Sequence, residues 1–485
     1  MKKLGRDDEQ FTWRLVIFVL FCWLAQLILI LTLPLVADEA YYTRWGERLS
    51  WGYLDHPPMV ALWSYWGGRW LNALLLPMAW LIFVDSARRL GSRVHPLWFL
   101  AAAWSTPLGL ASGVLLTPDA PLLFMWSLAV WGWARRLIWL SAAGVILGAW
   151  SKAMIWPAAL GLGWLWWTDD RGQTPKRDVL LWAILVLIGY FPHINWSWHH
   201  DGLPWTFQGG RQWGRFSALE WVAGQFWVGG GAWTFLVARQ FWRDRSRAYR
   251  AFKLSRPPLD GHHAIVETVD QVNTQKDQRV RLWWWLSAPS FLTWGLMSLG
   301  TRVEANWSAL AWPTALLWAL EASTQKQRKK AIFWSTLVTL PCLFLPLIHQ
   351  VIPLGMGPPR DSQRLRECIQ AIDQPPSRAW ITGRYQEAAL LGLPLERPAY
   401  HLGDEHPVAP PVKYLRAWQR RESQYDLFTQ EPIKSLCDTL YIGPREWVGP
   451  RCSGQLESVT GTCSLEVTRC TCTGIDKVYP RIHRE

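Results

Sequence analysis

Between Phe11 and Ala37 only Arg14 and Gln26 carry a charge or a strongly polar amide. That run exceeds the roughly 20 apolar residues that carry an α-helix across a bilayer. Met1-Lys2-Lys3 ahead of it looks like the start of a secretory signal. A signal, however, has an apolar core of roughly 7–15 residues ending at small residues. This run continues into an acidic, aromatic segment, and it reads as an uncleaved first transmembrane helix.

The pattern recurs. Half of the 485 residues are hydrophobic, 18% are charged and 39 are Trp, a composition too apolar for a disordered chain. The mean hydropathy of +0.01 understates this, because the common scale counts Trp as slightly polar. The net charge of +13 would suit a nucleic-acid binder if it formed one face. It does not: Lys and Arg gather at 88–93, 135–136, 171–177, 239–256 and 326–330, each between apolar blocks. With every cluster on the cytoplasmic side, the blocks thread as about eleven spans (10–13), near 12–36, 68–87, 95–115, 119–134, 137–151, 154–168, 179–196, 218–238, 282–300, 307–321 and 332–350. The N-terminus is then cytoplasmic, and the expected fold is a polytopic α-helical membrane protein in a bacterial-type inner membrane. The long inward loop 239–281 reads as a basic segment at anionic headgroups, with no nucleic-acid role.

After residue 350 the apolar runs shorten, and an odd span count puts 351–485 outside the membrane as a small mixed α/β domain, distinct from the 1–350 membrane domain. Strands are expected at 380–382 and 398–402 and a helix at 385–391. Six of the eight Cys (Cys368, Cys437, Cys452, Cys463, Cys470, Cys472) fall there, as disulfides in an oxidising compartment would, although no pairing follows from the sequence. A zinc site at Cys463, Cys470 and Cys472 is the rival, with a spacing unlike the usual zinc signatures.

The unusual polar motifs all land in the outward loops. Asp38-Glu39-Ala40-Tyr41-Tyr42 follows the first span, and Gly52-Tyr53-Leu54-Asp55-His56-Pro57-Pro58 follows soon after. The loop 38–58 is rich in Trp, Tyr and Leu and is expected to lie as amphipathic helices on the membrane surface, which would hold carboxylates and an imidazole at headgroup depth. Further outward loops hold Asp119, Lys152, His199, His200, Arg211, Arg215, Glu304, Asn306 and Trp307.

Read together, DEAYYTRWGERLSWGYLDHPPMVALW, LLTPDAPLLFMW, GAWSKAMIWP, PHINWSWHHDGLPWTFQGGRQWGR, RVEANWSALAWP, RYQEAALLG and SQYDLF resemble, in order, the membrane glycosyltransferases of family 39. That is the protein mannosyltransferase and lipid A aminoarabinose transferase superfamily, of the GT-C fold. The resemblance covers most of residues 10–430. It implies inverting transfer of a sugar from a polyprenyl-phosphate donor to a lipid, envelope glycan or protein acceptor on the outer face. Asp38 falls on the catalytic carboxylate, with Glu39 beside it, and Asp119 on a second acidic position. Asp119 reads equally as a helix cap. His56 sits where the aminoarabinose branch has a Lys on the donor phosphate. It would contact that phosphate, ligate a divalent metal with Asp55 and His199 or His200, or pack the loop. Tyr41 stands where that branch has Arg, which argues against aminoarabinose as the sugar. Lys152, Arg211 and Arg215 are the other candidates for the donor phosphate, Lys152 reading otherwise as a snorkelling side chain. Tyr41, Tyr42, Tyr53, Glu304, Asn306 and Trp307 are candidates for sugar contacts, the last three otherwise as a cap of the tenth span. A transporter would place its charges mid-span, and a membrane sensor with an external binding domain would leave Asp38-Glu39 and Asp55-His56 without a purpose. Those are the two alternatives.

Overall fold

The computed structural model describes residues 6–33, 35–53, 55–168, 174–200, 202, 204, 214–254 and 268–351, together with five short strands beyond them. Contacts divide the chain into two compact units, Met1–Thr32 with Leu49–Leu345, and Leu33–Arg48 with Pro346–Glu485.

The first unit is helical. Its elements are α1 (Arg6–Thr32), α3 (Met59–Trp66), α4 (Arg69–Arg89), α5 (Pro96–Trp104), α6 (Pro107–Val114), α7 (Asp119–Ala134), α8 (Ile138–Ser151), α9 (Trp156–Trp167), α10 (Lys176–Trp198), α11 (Ala218–Val228), α12 (Ala232–Leu254), α13 (Thr268–Met297), α14 (Ala311–Ala322) and α15 (Gln325–Val351). Two 3₁₀ turns, Ala153–Ile155 and Ala305–Ser308, precede α9 and α14. Among the described residues α4 and α10 are long and apolar enough to cross a membrane, and α5 with α6 makes a third if the bent pair counts as one span. Several of the other expected spans are shorter helices, such as the 12-residue α9 and α14 and the 11-residue α11. These fall below the roughly 20 residues a lone crossing needs. On α10 a lipid-like face is plain: Leu187, Ile188, Phe191 and Trp198 are exposed.

The expected span at 95–115 is broken by a 78° bend between α5 and α6. Thr106 makes the break: its Oγ1 accepts the Gly109 N–H at 3.1 Å, and Pro107 follows at the first helical position, the cap chemistry that starts a new helix. A break in an apolar layer strands backbone groups, which neighbours must satisfy. Thr339 Oγ1 donates to the Ser105 carbonyl at 2.8 Å and Trp233 Nε1 to the Ser105 hydroxyl at 2.9 Å. The expected span 218–238 is likewise two helices, because Gly230 and Gly231 adopt φ of +71° and +65° between α11 and α12, a left-handed conformation that costs glycine little. Ser335 Oγ covers the Gly230 carbonyl at 2.6 Å.

The Trp enrichment has an interior use beyond interfacial anchoring. An indole fills apolar space and carries one N–H that usually finds a partner when buried. Across helices Trp63 donates to Asn72 Oδ1 (2.7 Å), Trp104 to Gln26 Oε1 (3.2 Å), Trp182 to the Ser141 hydroxyl (3.2 Å), Trp283 to Glu321 Oε2 (3.0 Å), Trp312 to Gln225 Oε1 (3.1 Å) and Trp318 to Asp244 Oδ2 (3.1 Å). Glycines bring backbones together where Trp is absent. Gly132 and Gly144 let α7 and α8 touch backbone to backbone, and a Cβ at either would strike the other helix, the small-residue packing of membrane helices.

The two ends of this unit differ. At one, Asp85 of α4 accepts from Trp131 Nε1 (2.8 Å) and from Arg135 (2.9 Å) and Arg89 (3.2 Å), and the Arg328 guanidinium lies 5.6 Å from the Trp98 ring. Three basic clusters, 88–93, 135–136 and 326–330, thus share that end. The other end holds Asp119, Lys152 and Asn306 together with the segment around Trp51 and Tyr53.

In the second unit the strands β1 (Ala379–Thr382), β2 (Val412–Tyr414), β3 (Thr439–Ile442), β4 (Gln455–Val459) and β5 (Val467–Thr471) form one sheet in the order β2-β1-β3-β5-β4. β1 is parallel to β2 and β3, and β5 antiparallel to β3 and β4. β1 contains the expected strand 380–382. The segments 385–391 and 398–402 and the side chains of the six cysteines lie outside the described residues. α2 (Ala37–Gly46) groups with this unit.

Candidate active site

Asp119, Lys152 and Asn306 come from three separate connections and meet. Asp119 opens α7. Lys152, with φ −160° and ψ 130°, is the extended residue between α8 and the following 3₁₀ turn, and Asn306 lies in the turn before α14. Lys152 Nζ lies 2.8 Å from Asp119 Oδ1, and Asn306 Nδ2 donates to Asp119 Oδ2 at 2.6 Å. The Asp119 and Lys152 side chains are only 9% and 5% exposed. A buried ion pair survives only when its remaining lone pairs and protons are also matched, and Asn306 supplies part of that match. Asp119 also benefits from the positive end of α7.

This corrects two expectations. Asp119 does not cap α7, since Pro118 occupies that position and no side-chain cap is made there. Lys152 does not snorkel to water. Asn306, expected as a sugar contact, spends a donor on Asp119. Beside the trio, Met154, Trp294 and Val303 form a buried cluster against which Trp221 and Trp307 pack, with the Trp294 and Trp307 rings edge to face at 5.1 Å. Trp294 Nε1 is buried and has no hydrogen-bond partner among the described residues. Glu304 is exposed and pairs with Arg302 at 3.2 Å.

The segment 50–58 is fastened at the same end. The Trp51 ring meets Trp150 at 5.3 Å, two residues from Lys152. Tyr53 is fully buried, its OH accepts the Ser50 N–H at 3.0 Å, and its own N–H donates to the His56 carbonyl at 3.1 Å. Burial pushes the Tyr53 hydroxyl up to about 12, against the lowering effect of the Ser50 N–H. Its full burial, and not its ionisation, sets it apart from the expected sugar contacts. Asp55 and His56 are half-buried.

The remaining expected ligands are scattered. Among the described residues no three His, Cys, Asp or Glu side chains gather as a metal site. Asp55, His56, His199 and His200 are not gathered as a ligand set among the described residues, and Nδ1 of His199 and of His200 each sits 2.8 Å from a carbonyl of its own helix. Arg215 is exposed and pairs with Glu220 at 2.8 Å, a surface pair worth about 0–1 kcal/mol, and Arg211 lies outside the described residues.

In the second unit, α2 presents Asp38 to solvent while Glu39 is fully buried. Glu39 Oε2 accepts the Val36 N–H at 3.0 Å, the carboxylate half of a capping box. Tyr41 and Tyr42 are buried, with Trp45 edge-on to them at 4.8 and 5.1 Å. The loop pattern places α2 on the membrane surface, with both tyrosines as sugar contacts. Its side chains from Glu39 to Tyr42, and Trp45, are instead enclosed, because three large aromatics at positions 41, 42 and 45 share one helical face.

Sequence reasoning missed His193, which is buried in α10 with Nδ1 3.0 Å from the Trp51 carbonyl. An imidazole inside an apolar span was the available signal.

No family model and no solved structure matches the chain. Over 345 residues, 65% of this chain and 67% of the other, it is 23% identical to lipid A galacturonosyltransferase RgtD of Rhizobium johnstonii.

Proposed function

We propose that this protein is an integral-membrane glycosyltransferase of the family 39, GT-C type. It moves a sugar, with inversion, from a polyprenyl-phosphate donor to a lipid or envelope acceptor on the outer face of the inner membrane. The observation that carries the reading is the buried Asp119, Lys152 and Asn306 trio at the end of the helical unit that also holds the Asp55-His56 loop. Similarity to a lipid A galacturonosyltransferase supports a lipid acceptor. In this reading the eleven-span threading holds, with the N-terminus cytoplasmic and 351–485 external.

The chemistry is a single displacement. An acceptor hydroxyl oxygen attacks the anomeric carbon from the face opposite the lipid phosphate, and the bond from that carbon to the phosphate oxygen breaks with its electron pair staying on oxygen. The hydroxyl proton passes to a carboxylate. Asp38, exposed at the start of α2, is that base, and Glu39 caps the helix that carries it. Lys152 has three N–H donors and spends one on Asp119, so its charge is available to the departing phosphate while Asp119 and Asn306 hold it in place. His56 is the second phosphate contact. Its rival use is as ligand to a divalent ion. His56→Lys separates the two, since an ammonium has no lone pair for a metal: an active, chelator-resistant variant supports phosphate contact.

Mass spectrometry of polyprenyl-phosphate sugars in cells lacking the protein tests the reading. One such donor should accumulate and its sugar should vanish from an envelope lipid. An unchanged donor pool and unchanged lipids would refute it.

A further inference from the structure

His193 sits five residues before the end of α10, 2% exposed, with Nδ1 3.0 Å from the Trp51 carbonyl. A carbonyl only accepts, so Nδ1 carries the hydrogen and the tautomer is fixed. Among the described residues Nε2 makes no hydrogen bond. The rest of α10's outer half grips the same segment. Trp196 packs so closely on Gly52 that a Cβ there would overlap its ring, and Trp150, which meets Trp51, donates to the Gly189 carbonyl at 3.0 Å. Directly after this anchored stretch, Tyr53 closes a turn onto the His56 carbonyl.

We propose that His193 is a positioning residue whose Nδ1–H holds the Trp51 carbonyl and thereby sets the turn that presents Asp55 and His56. A loop of unrestrained residues loses backbone entropy when a ligand orders it, and an anchor made in advance removes part of that cost. The structural half stands on the contacts alone. The functional half rests on the reading of His56 as a phosphate contact.

The test uses the two nitrogens. Asn at 193 places an amide N–H near the position of Nδ1, Gln places one near Nε2, and Ala removes both. Two readouts are made on the full chain in nanodiscs: amide hydrogen exchange of 51–58, and binding of undecaprenyl phosphate. His193→Asn should keep wild-type protection of 51–58 and wild-type binding. His193→Gln and His193→Ala should lose that protection and bind roughly tenfold more weakly, the effect of about one lost hydrogen bond. Wild-type behaviour of the Gln variant with failure of the Asn variant would overturn the proposal, as would unchanged protection in all three. Protection that follows the prediction while binding stays constant throughout would uphold the anchor and count against the phosphate role of His56.

Discussion

At the scale of single residues, the proposed mechanism gives Asp38 the chemistry and Asp119 the geometry. Asp38→Asn keeps shape and removes basicity. It should lower turnover roughly 10²–10⁴-fold, the usual contribution of a general base, with thermal stability near wild type because Asp38 is exposed. Asp119→Asn should behave differently. It leaves the buried Lys152 without its counter-charge, at a cost of about 3–5 kcal/mol, so stability and activity fall together. Adding Asn306→Asp restores a donor and an acceptor across the same 2.6 Å contact with the charge moved. Differential scanning fluorimetry of the double variant should recover most of the lost stability, while transfer stays far below wild type. Full transfer by the double variant would show that the place of the carboxylate is immaterial and that Asp119 serves stability alone. The residue types of this site were legible in the sequence, but their grouping was not. Residues 119, 152 and 306 lie in three connections, and nothing in their local patterns says that they meet. Nor does local pattern tell a capping Glu39 from a catalytic one.

At the scale of elements, apolar blocks mark helices well and their breaks poorly. Each of the eleven expected spans contains helix, yet two are split. In both cases the signal was present as Ser105-Thr106-Pro107 and Gly229-Gly230-Gly231, and hydropathy averaged over it. These breaks persist because side chains on other helices cap them, which no local window shows. Gly230→Ala forces a Cβ into the left-handed region and against Ser335. It should cost about 1–2 kcal/mol from backbone strain alone, read as a lower midpoint of thermal unfolding, whereas Gly300→Ala, with open space around its Cβ, should be near neutral. Equal effects at both positions would contradict the assignment of strain to the α11 and α12 break.

At the scale of the whole molecule, Arg89 and Arg135 lie at one end of the helical unit and the Asp119, Lys152 and Asn306 trio at the other, and the proposed threading puts the first end in the cytoplasm and the second outside. Reporter fusions after Arg360 should be active only in the oxidising compartment, and fusions within 245–275 only in the cytoplasm; activity on one side for both would reverse the arrangement. The most direct measurement of the central claim is transfer by the purified full chain in proteoliposomes, supplied with a polyprenyl-phosphate sugar and a lipid acceptor. Equal amounts of free polyprenyl phosphate and glycosylated lipid should form, with the anomeric configuration inverted and both products lost in Asp38→Asn. Retained configuration, or full turnover by Asp38→Asn, would contradict it.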